Sequence, residues 1–476
     1  MKRFGSLMLA GLMLAWTPVV RAADAGPYAP ATLAVAREIQ ERALAGSGAF
    51  DFVESLTVRV GPRMAGTPAA RAGHDWAMAR FKELGLANVR VEPFTVEGWE
   101  RGLESAAILS PAPQHLHVTA LGYSVATPAD GVTGAIARFD TLDDLLSAPD
   151  GSLEGKIAFV DKKMARLQDG GGYGQAVVAR GRGPSEAARK GALALLIRSI
   201  GTDSHRFPHT GTTRYSPDVA AIPAAALSNP DADQLNRLLA LGGPVTVRLT
   251  LASQAMGPLS DANVMGEIRG RELPEEIVVI AAHLDSWDLG TGALDDGAGV
   301  GIVLAAARIL KSLPQPPRRT IRFILFGAEE LGLVGARAYA AARAGGPSGS
   351  KERHQIGTEA DFGAGPVITF NADVRPEARP VIDAIGRALS PLGIVPGRGP
   401  SSGGPDIGPL ATAFGMATAG LGLDGTDYFD YHHTADDTLD KVDPRKLDQS
   451  VAAFASFAWL AAESPVGFSP VERTRE

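Results

Sequence analysis

The sequence predicts an α/β protein: a mixed, mainly parallel sheet sandwiched by helices, with a mostly β segment inserted into it. Two observations carry this expectation. After Asp261 the chain repeats strand, loop and helix, the alternation that folds into a helix-covered sheet. Between about Glu104 and Leu251 that rhythm is lost, and short β-like runs alternate with glycine-rich stretches.

With 476 residues and 45% hydrophobic content, the chain can bury a large core and form two or three domains. It opens with Lys2 and Arg3, an apolar stretch over about residues 7–20, and Val20-Arg21-Ala22, a pattern that suits a signal peptidase. Residues 1–22 are therefore expected to be a signal peptide that directs export, to a periplasm or out of the cell. The apolar run is shorter than the roughly 20 residues of a spanning helix, so no membrane anchor is expected.

Residues 23–103 are expected to begin the main domain, with breaks at Gly61-Pro62 and Gly66-Thr67-Pro68, a helix stopped at Leu84-Gly85 and a strand at 88–91. Residues 104–255 form the inserted segment, with β runs at 156–160 and 245–249 and glycine-rich stretches at 169–174 and 181–184. Residues 256–476 complete the main domain. Strands are expected at 277–282, 320–326, 356–360 and 417–421. A helix over 299–310 carries Val300, Val303, Leu304, Ala307 and Leu310 at helical spacing. A last helix starts at Asp443-Pro444, a cap followed by a first-turn proline, with Leu447, Val451 and Phe454 on one face.

There is no cysteine, so a metal site must use histidine and carboxylates. The net charge of −7, without a dense Lys/Arg block, gives nucleic acid or an anionic membrane nothing to grip. A small or peptide-sized substrate is the better default.

Ligands of open α/β sheets collect at the carboxyl ends of the strands. Here those positions are unusually acidic: His283-Leu284-Asp285, Asp295-Asp296-Gly297, Glu329-Glu330, Asp361, and then His432-His433-Thr434 with Asp437. Grouping so many carboxylates costs repulsion and desolvation unless cations neutralise them. Two Zn²⁺ ions fit. If Asp295 bridges them, one ion adds His283 and Asp361 and the other adds Glu330 and His433, and each keeps an open position. Three carboxylates and one hydroxide then balance two dications, which leaves Glu329 free to act as a base. Asp285 is expected to hold the far imidazole nitrogen of His283, and Asp437 to do similar work near His433. A lone His or Asp after a strand is more often a cap or surface charge; five in register are not. No H-E-x-x-H string occurs, and the G-x-S-x-G string at 399–403 lies in a Pro/Gly-rich loop instead of a strand-turn-helix elbow.

The strings HLDSWDLGTGALDDGAG (283–299), FGAEELGLVGA (326–336), TEADFGAG (358–365) and YHHTADDT (431–438) resemble the co-catalytic di-zinc exopeptidases, and among them the carboxypeptidase Q kind. The resemblance covers about residues 34–463 and includes NVRVEP (88–93), Trp99-Glu100-Arg101-Gly102, residues 192–199 and His209-Thr210-Gly211. It selects His433 over His432, and Asp361 over its runner-up Asp373. It implies a di-zinc aminopeptidase-like fold, a protease-associated-type inserted domain and two Zn²⁺ per subunit. The implied reaction is hydrolysis of unblocked dipeptides or short peptides; a general aminopeptidase acting on longer peptides is the alternative. Water between the zinc ions would give its proton to Glu329, which would hand it to the leaving amine. Tyr428 is a candidate oxyanion donor, although a Tyr beside a Phe more often packs. The loop 401–406 departs from the family by a proline in place of threonine; Asp406 stays a candidate for organising the site or meeting the substrate amine. The resemblance alone suggests a homodimer. Some relatives keep the fold as silent binding ectodomains, but here every expected ligand position is filled.

Overall fold

The computed structural model describes residues 26–344 and 352–471, so the expected signal peptide at 1–22 lies outside the described residues. In chain order the elements are α1 (Pro30–Leu44), α2 (Ala49–Arg59), α3 (Pro68–Glu83) and β1 (Ala87–Glu100). Next come β2 (Glu104–Ser110), β3 (Gln114–Leu116), β4 (Val118–Ala120), β5 (Val132–Phe139), α4 (Leu142–Leu146), β6 (Lys156–Val160), α5 (Gly172–Arg189), β7 (Ala194–Arg198), β8 (Ala224–Leu227), α6 (Asn229–Ala240) and β9 (Thr246–Leu251). The chain then makes β10 (Gln254–Ile268), β11 (Leu273–His283), α7 (Ala298–Lys311), β12 (Arg319–Phe326), α8 (Val334–Ala344), β13 (Arg353–Glu359), β14 (Val367–Asp373), α9 (Arg379–Leu389), β15 (Val395–Pro396), α10 (Ile407–Phe414), β16 (Ala417–Leu423) and α11 (Pro444–Glu463).

The strands form two sheets. The first has the order β1-β10-β12-β11-β13-β16-β14-β15, with β12, β11, β13 and β16 parallel at its centre and antiparallel pairs toward both sides. Side chains alternate across a strand, and on β11 both sets are buried. Val278, Ile280 and Ala282 join a core with residues of α1, α2, α7 and α11, while Ile277, Val279 and Ala281 pack with residues of α8 and α10. Burial on both faces is why this strand reads as an unbroken apolar run. The mixed sheet between helix layers is the expected fold class.

Two local signals act where the sequence places them. Thr67 Oγ1 accepts from the Ala70 N–H at 3.2 Å with Pro68 in the first turn of α3, and Asp443 caps α11 through the Arg445 N–H at 2.9 Å. β1 runs well past 88–91, because it pairs antiparallel with β10 along nearly its whole length.

The second sheet has the order β3-β2-β9-β5-β6-β7-β8-β4, and β5, β6, β7 and β8 are parallel. Helices α4, α5 and α6 accompany it. Residues 181–184, expected as a glycine-rich stretch among short β-like runs, lie inside α5. The glycine there serves packing: a Cβ on Gly183 would stand 2.8 Å from a Leu195 methyl, so its absence lets the helix lie close on β7. Among the described residues no helix is long and apolar enough to cross a membrane.

At the start of β13, His354 is buried between the Tyr339 hydroxyl, 2.8 Å from Nε2, and the Phe414 ring, stacked at 4.4 Å. Burial and the nearby Arg322 cation push its pKa down to about 3. Below its ordinary value of about 6.5, the unfolded chain therefore binds a proton that the folded chain refuses. This contribution is full above that pH and is lost as pH falls toward about 3, at up to about 1.4 kcal/mol per pH unit. Replacing His354 by Gln is expected to make the decline in Tm between about pH 6.5 and 4.5 shallower than in the wild type; parallel declines in thermal melts would reject this account.

Candidate metal centre

The parallel centre of the first sheet delivers the acidic residues to one edge. β11 ends on His283, β12 leads into Glu329 and Glu330, β13 leads into Asp361, and the segment after β16 brings Tyr428, His432 and His433. Asp295 comes from the turn before α7. His283 Nε2 lies 3.0 Å from Asp295 Oδ1 and 3.6 Å from Asp361 Oδ1. His433 Nε2 lies 2.9 Å from Glu330 Oε2 and 3.2 Å from Asp295 Oδ2. Asp295 thus offers one oxygen to each of two adjoining groups, His283–Asp295–Asp361 and Asp295–Glu330–His433, either of which could hold a metal ion. Glu329 also falls in a group with His283 and Glu330.

The alternative residues lie differently. His432 stacks on His433 at 3.6 Å, with Nε2 at 3.3 Å from Asp295 Oδ2. Asp373 ends β14, where it pairs with Thr418 at the beginning of β16; that is the end of the sheet away from Asp361, and none of the metal-competent groups includes it.

The supporting residues do more than their spacing suggests. The far nitrogen of His283, Nδ1, is 3.0 Å from the Asp285 backbone carbonyl and 3.6 Å from its carboxylate. That carboxylate accepts the Glu329 and Glu330 amides at 3.1 and 3.4 Å, so it fixes the turn carrying both acids. Asp437 accepts from the Leu294 and Asp295 amides at 2.6 and 3.2 Å and so holds the Asp295 turn in place, whereas His433 Nδ1 meets the Thr210 carbonyl at 3.2 Å. Burial and the Asp295 charge push the Asp437 carboxyl up to about 7. Asp406 is fully buried behind Pro405, which lines the cleft. Its amide donates to Glu359 at 2.8 Å, and burial together with the Glu359 charge holds its carboxyl well above the usual range. Tyr428 does line the cleft, while its ring packs on Phe362, Phe429 and His432 at 5.3, 5.0 and 4.9 Å.

Two contributors escape the sequence reading. Arg63 is completely buried and donates to the carbonyls of Leu284, Thr291 (2.8 Å) and Gly292 (3.0 Å), tying the His283 and Asp295 turns together. Trp287 Nε1 donates to Glu330 Oε2 at 2.6 Å. A charged residue beside Gly61-Pro62 and an indole within the 283–299 string carried no signal of these roles.

The cleft at the cluster measures about 420 Å³. The first sheet's segments line it with Asp295, Glu329, Glu330, Asp361, Phe362 and His433, and the second sheet's with Tyr173, Arg180, Thr212 and Arg214. Burial, with Asp361, Glu330 and Asp285 adding to it and His283 opposing, raises the Glu329 carboxyl well above its usual pKa. Among the described residues, the buried oxygens Asp295 Oδ2 and Glu330 Oε1 have no donor aligned for a hydrogen bond. Orphaned buried oxygens within two sets of carboxylates and imidazoles are what a divalent cation satisfies, so the residues fit metal ions.

The model of Peptidase family M28 matches residues 263–458. Carboxypeptidase Q of Bos taurus is 32% identical over 415 residues, covering 87% of this chain and 85% of that protein. The crystal structure of a peptidase M28 precursor from Shewanella amazonensis SB2B superposes with a TM-score of 0.90 at 50% identity, covering 93% of this chain and 99% of that one. BSAP, a zinc aminopeptidase from Bacillus subtilis, shares the fold with a TM-score of 0.62 at 23% identity, over 89% of this chain and 97% of its own. The class that fold, site and relatives define is the metallopeptidases, with peptides as substrate. Within that class, the chain belongs to peptidase family M28 and is carboxypeptidase Q-like.

Proposed function

We propose that this protein is a di-zinc exopeptidase that hydrolyses unblocked dipeptides or other short peptides. The observation that carries the reading is Asp295, whose two oxygens belong to two adjoining ligand groups. His283 and Asp361 would hold one ion, Glu330 and His433 the other, with Asp295 shared. When bound, the ions polarise the scissile carbonyl and make the attacking water more acidic. Glu329, on the cleft wall, takes the water's proton and returns it to the leaving amine. Tyr428 stands on the same wall as a hydrogen-bond donor for the carbonyl oxygen.

Two features support a short, unblocked substrate. Segments of the second sheet close one side of the cleft. Arg180 and Arg214 line that side, and neither forms an ion pair with a carboxylate among the described residues. A free α-carboxylate is the anion that suits them. Export through residues 1–22, a main domain split as 23–103 and 256–476 around a protease-associated-type insert at 104–255, and a homodimer belong to the same reading.

The test is zinc-dependent hydrolysis of an unblocked dipeptide beside its N-acetylated, C-amidated and tetrapeptide counterparts. The free dipeptide is expected to be cleaved on the order of 10² times faster or more, because blocking a terminus leaves buried polar groups unpaired. Equal cleavage of tetrapeptide and amide would assign a general aminopeptidase. Absence of turnover with two zinc ions bound would assign a binding protein.

A further inference from the structure

We infer that the segment His209-Thr210-Gly211-Thr212, in the connection between β7 and β8 of the second sheet, positions the ligand pair Glu330 and His433. The Asp295–Glu330–His433 metal site is then complete only when the inserted segment is docked on the main domain. The inference rests on the di-zinc reading above.

The contacts are reciprocal. His433 Nδ1 lies 3.2 Å from the Thr210 carbonyl, and the Thr210 N–H donates to the His433 carbonyl at 2.9 Å. The Thr210 carbonyl is nearer to Nδ1 than Arg180 Nη1, which stands 3.5 Å away, and so favours the tautomer with the proton there, which leaves Nε2 with a free lone pair facing Asp295 and Glu330. The His209 ring lies over the His433 ring at 5.0 Å with 17° between their planes. Arg180 Nη1 holds this layer, 2.6 Å from His209 Nε2 and 3.3 Å from the Thr210 carbonyl. Gly211 has φ +133°, and a Cβ there would collide with the Arg180 guanidinium, so glycine is required. One residue on, Thr212 Oγ1 donates to the Glu330 carbonyl at 2.6 Å. The segment is itself anchored: Thr210 Oγ1 donates to the Ala120 carbonyl at 3.0 Å and accepts from Arg101 Nη2 at 3.1 Å.

The other ligand group is supported from within the main domain. His283 Nδ1 meets the Asp285 carbonyl two residues away, and Asp296 accepts the His283 N–H at 3.0 Å. The two sites should therefore respond differently to changes in the 209–212 segment, which a purely structural role would not cause.

The test is stepwise zinc binding measured by competition with a chromophoric chelator, using His433→Ala to mark which step belongs to the Asp295–Glu330–His433 site. Gly211→Ala is expected to weaken that step by roughly 10–100-fold. Thr212→Val should weaken it about fivefold, Thr212→Ser should restore it, and the other step should stay within about twofold. Because Gly211→Ala could disturb folding, the Thr212→Val and Thr212→Ser pair decides the matter, with melting temperatures as a check on the fold. Equal weakening of both steps, or no change in either, would overturn the inference. A wild-type protein that binds only one ion overturns the di-zinc reading itself, and that result is read before any variant.

Discussion

Glu329→Gln is expected to lower kcat by about 10³–10⁴-fold with little change in KM, while both zinc ions stay bound. Glutamine keeps the side chain's size and leaves the backbone N–H bonded to Asp285, so the turn is preserved. What is lost is the group that accepts a proton and gives it back. The metal content is the decisive companion measurement, because Glu329 also shares a metal-competent group with His283 and Glu330. An inactive variant with two ions identifies a base. One that has lost an ion makes Glu329 a ligand instead.

Asp295→Ala should remove zinc from both sites together, since the His283–Asp295–Asp361 and Asp295–Glu330–His433 groups each rely on one oxygen of that carboxylate. Loss of a supporting residue alone costs about 10–100-fold in metal affinity, so loss of a shared ligand should exceed about 10²-fold for each ion. Stability should report it too. An ion present at about 1,000 times its Kd stabilises the folded state by about 4 kcal/mol, and the zinc-induced rise in Tm should vanish in the variant. Asp437 holds the surrounding turn through backbone amides, so the metal-free variant should still fold. If Asp295→Ala loses one ion and retains the other at native affinity, Asp295 is not shared.

What could be read from the sequence depended on how far each interaction reaches along the chain. Residues 277–283 of β11 and nearly all of α7 are buried, and their apolar patterns announced them. β14 is half-exposed near the sheet's edge and alternates imperfectly, so no clear period marked it. The acidic residues were legible because the parallel topology forces strand ends to one edge, and each is flagged by the strand before it. The supporting contacts were not. Arg63 reaches the Asp295 turn across 229 residues and Thr210 reaches His433 across 223, separations at which spacing carries no information. Asp285 shows a subtler limit: the sequence locates the residue beside the imidazole but does not say that its carbonyl meets the ring more closely than its carboxylate, which also holds the next loop.

The pairing of β1 with β10 bears on how the protein is made. Glu100 at the end of β1 lies opposite Gln254 at the start of β10, so the whole second sheet is spliced in between two partners. During synthesis β1 leaves the ribosome first and must wait, unpaired, for a strand made more than 150 residues later. The segment in between has an apolar cluster of its own, and the pairing of Glu100 with Gln254 puts its two ends side by side. Closing so long a loop as loose chain would slow assembly of the first sheet, since distant pairings form slowly. If the intervening segment folds first, that delay disappears, because its two ends then start the β1–β10 zipper in register.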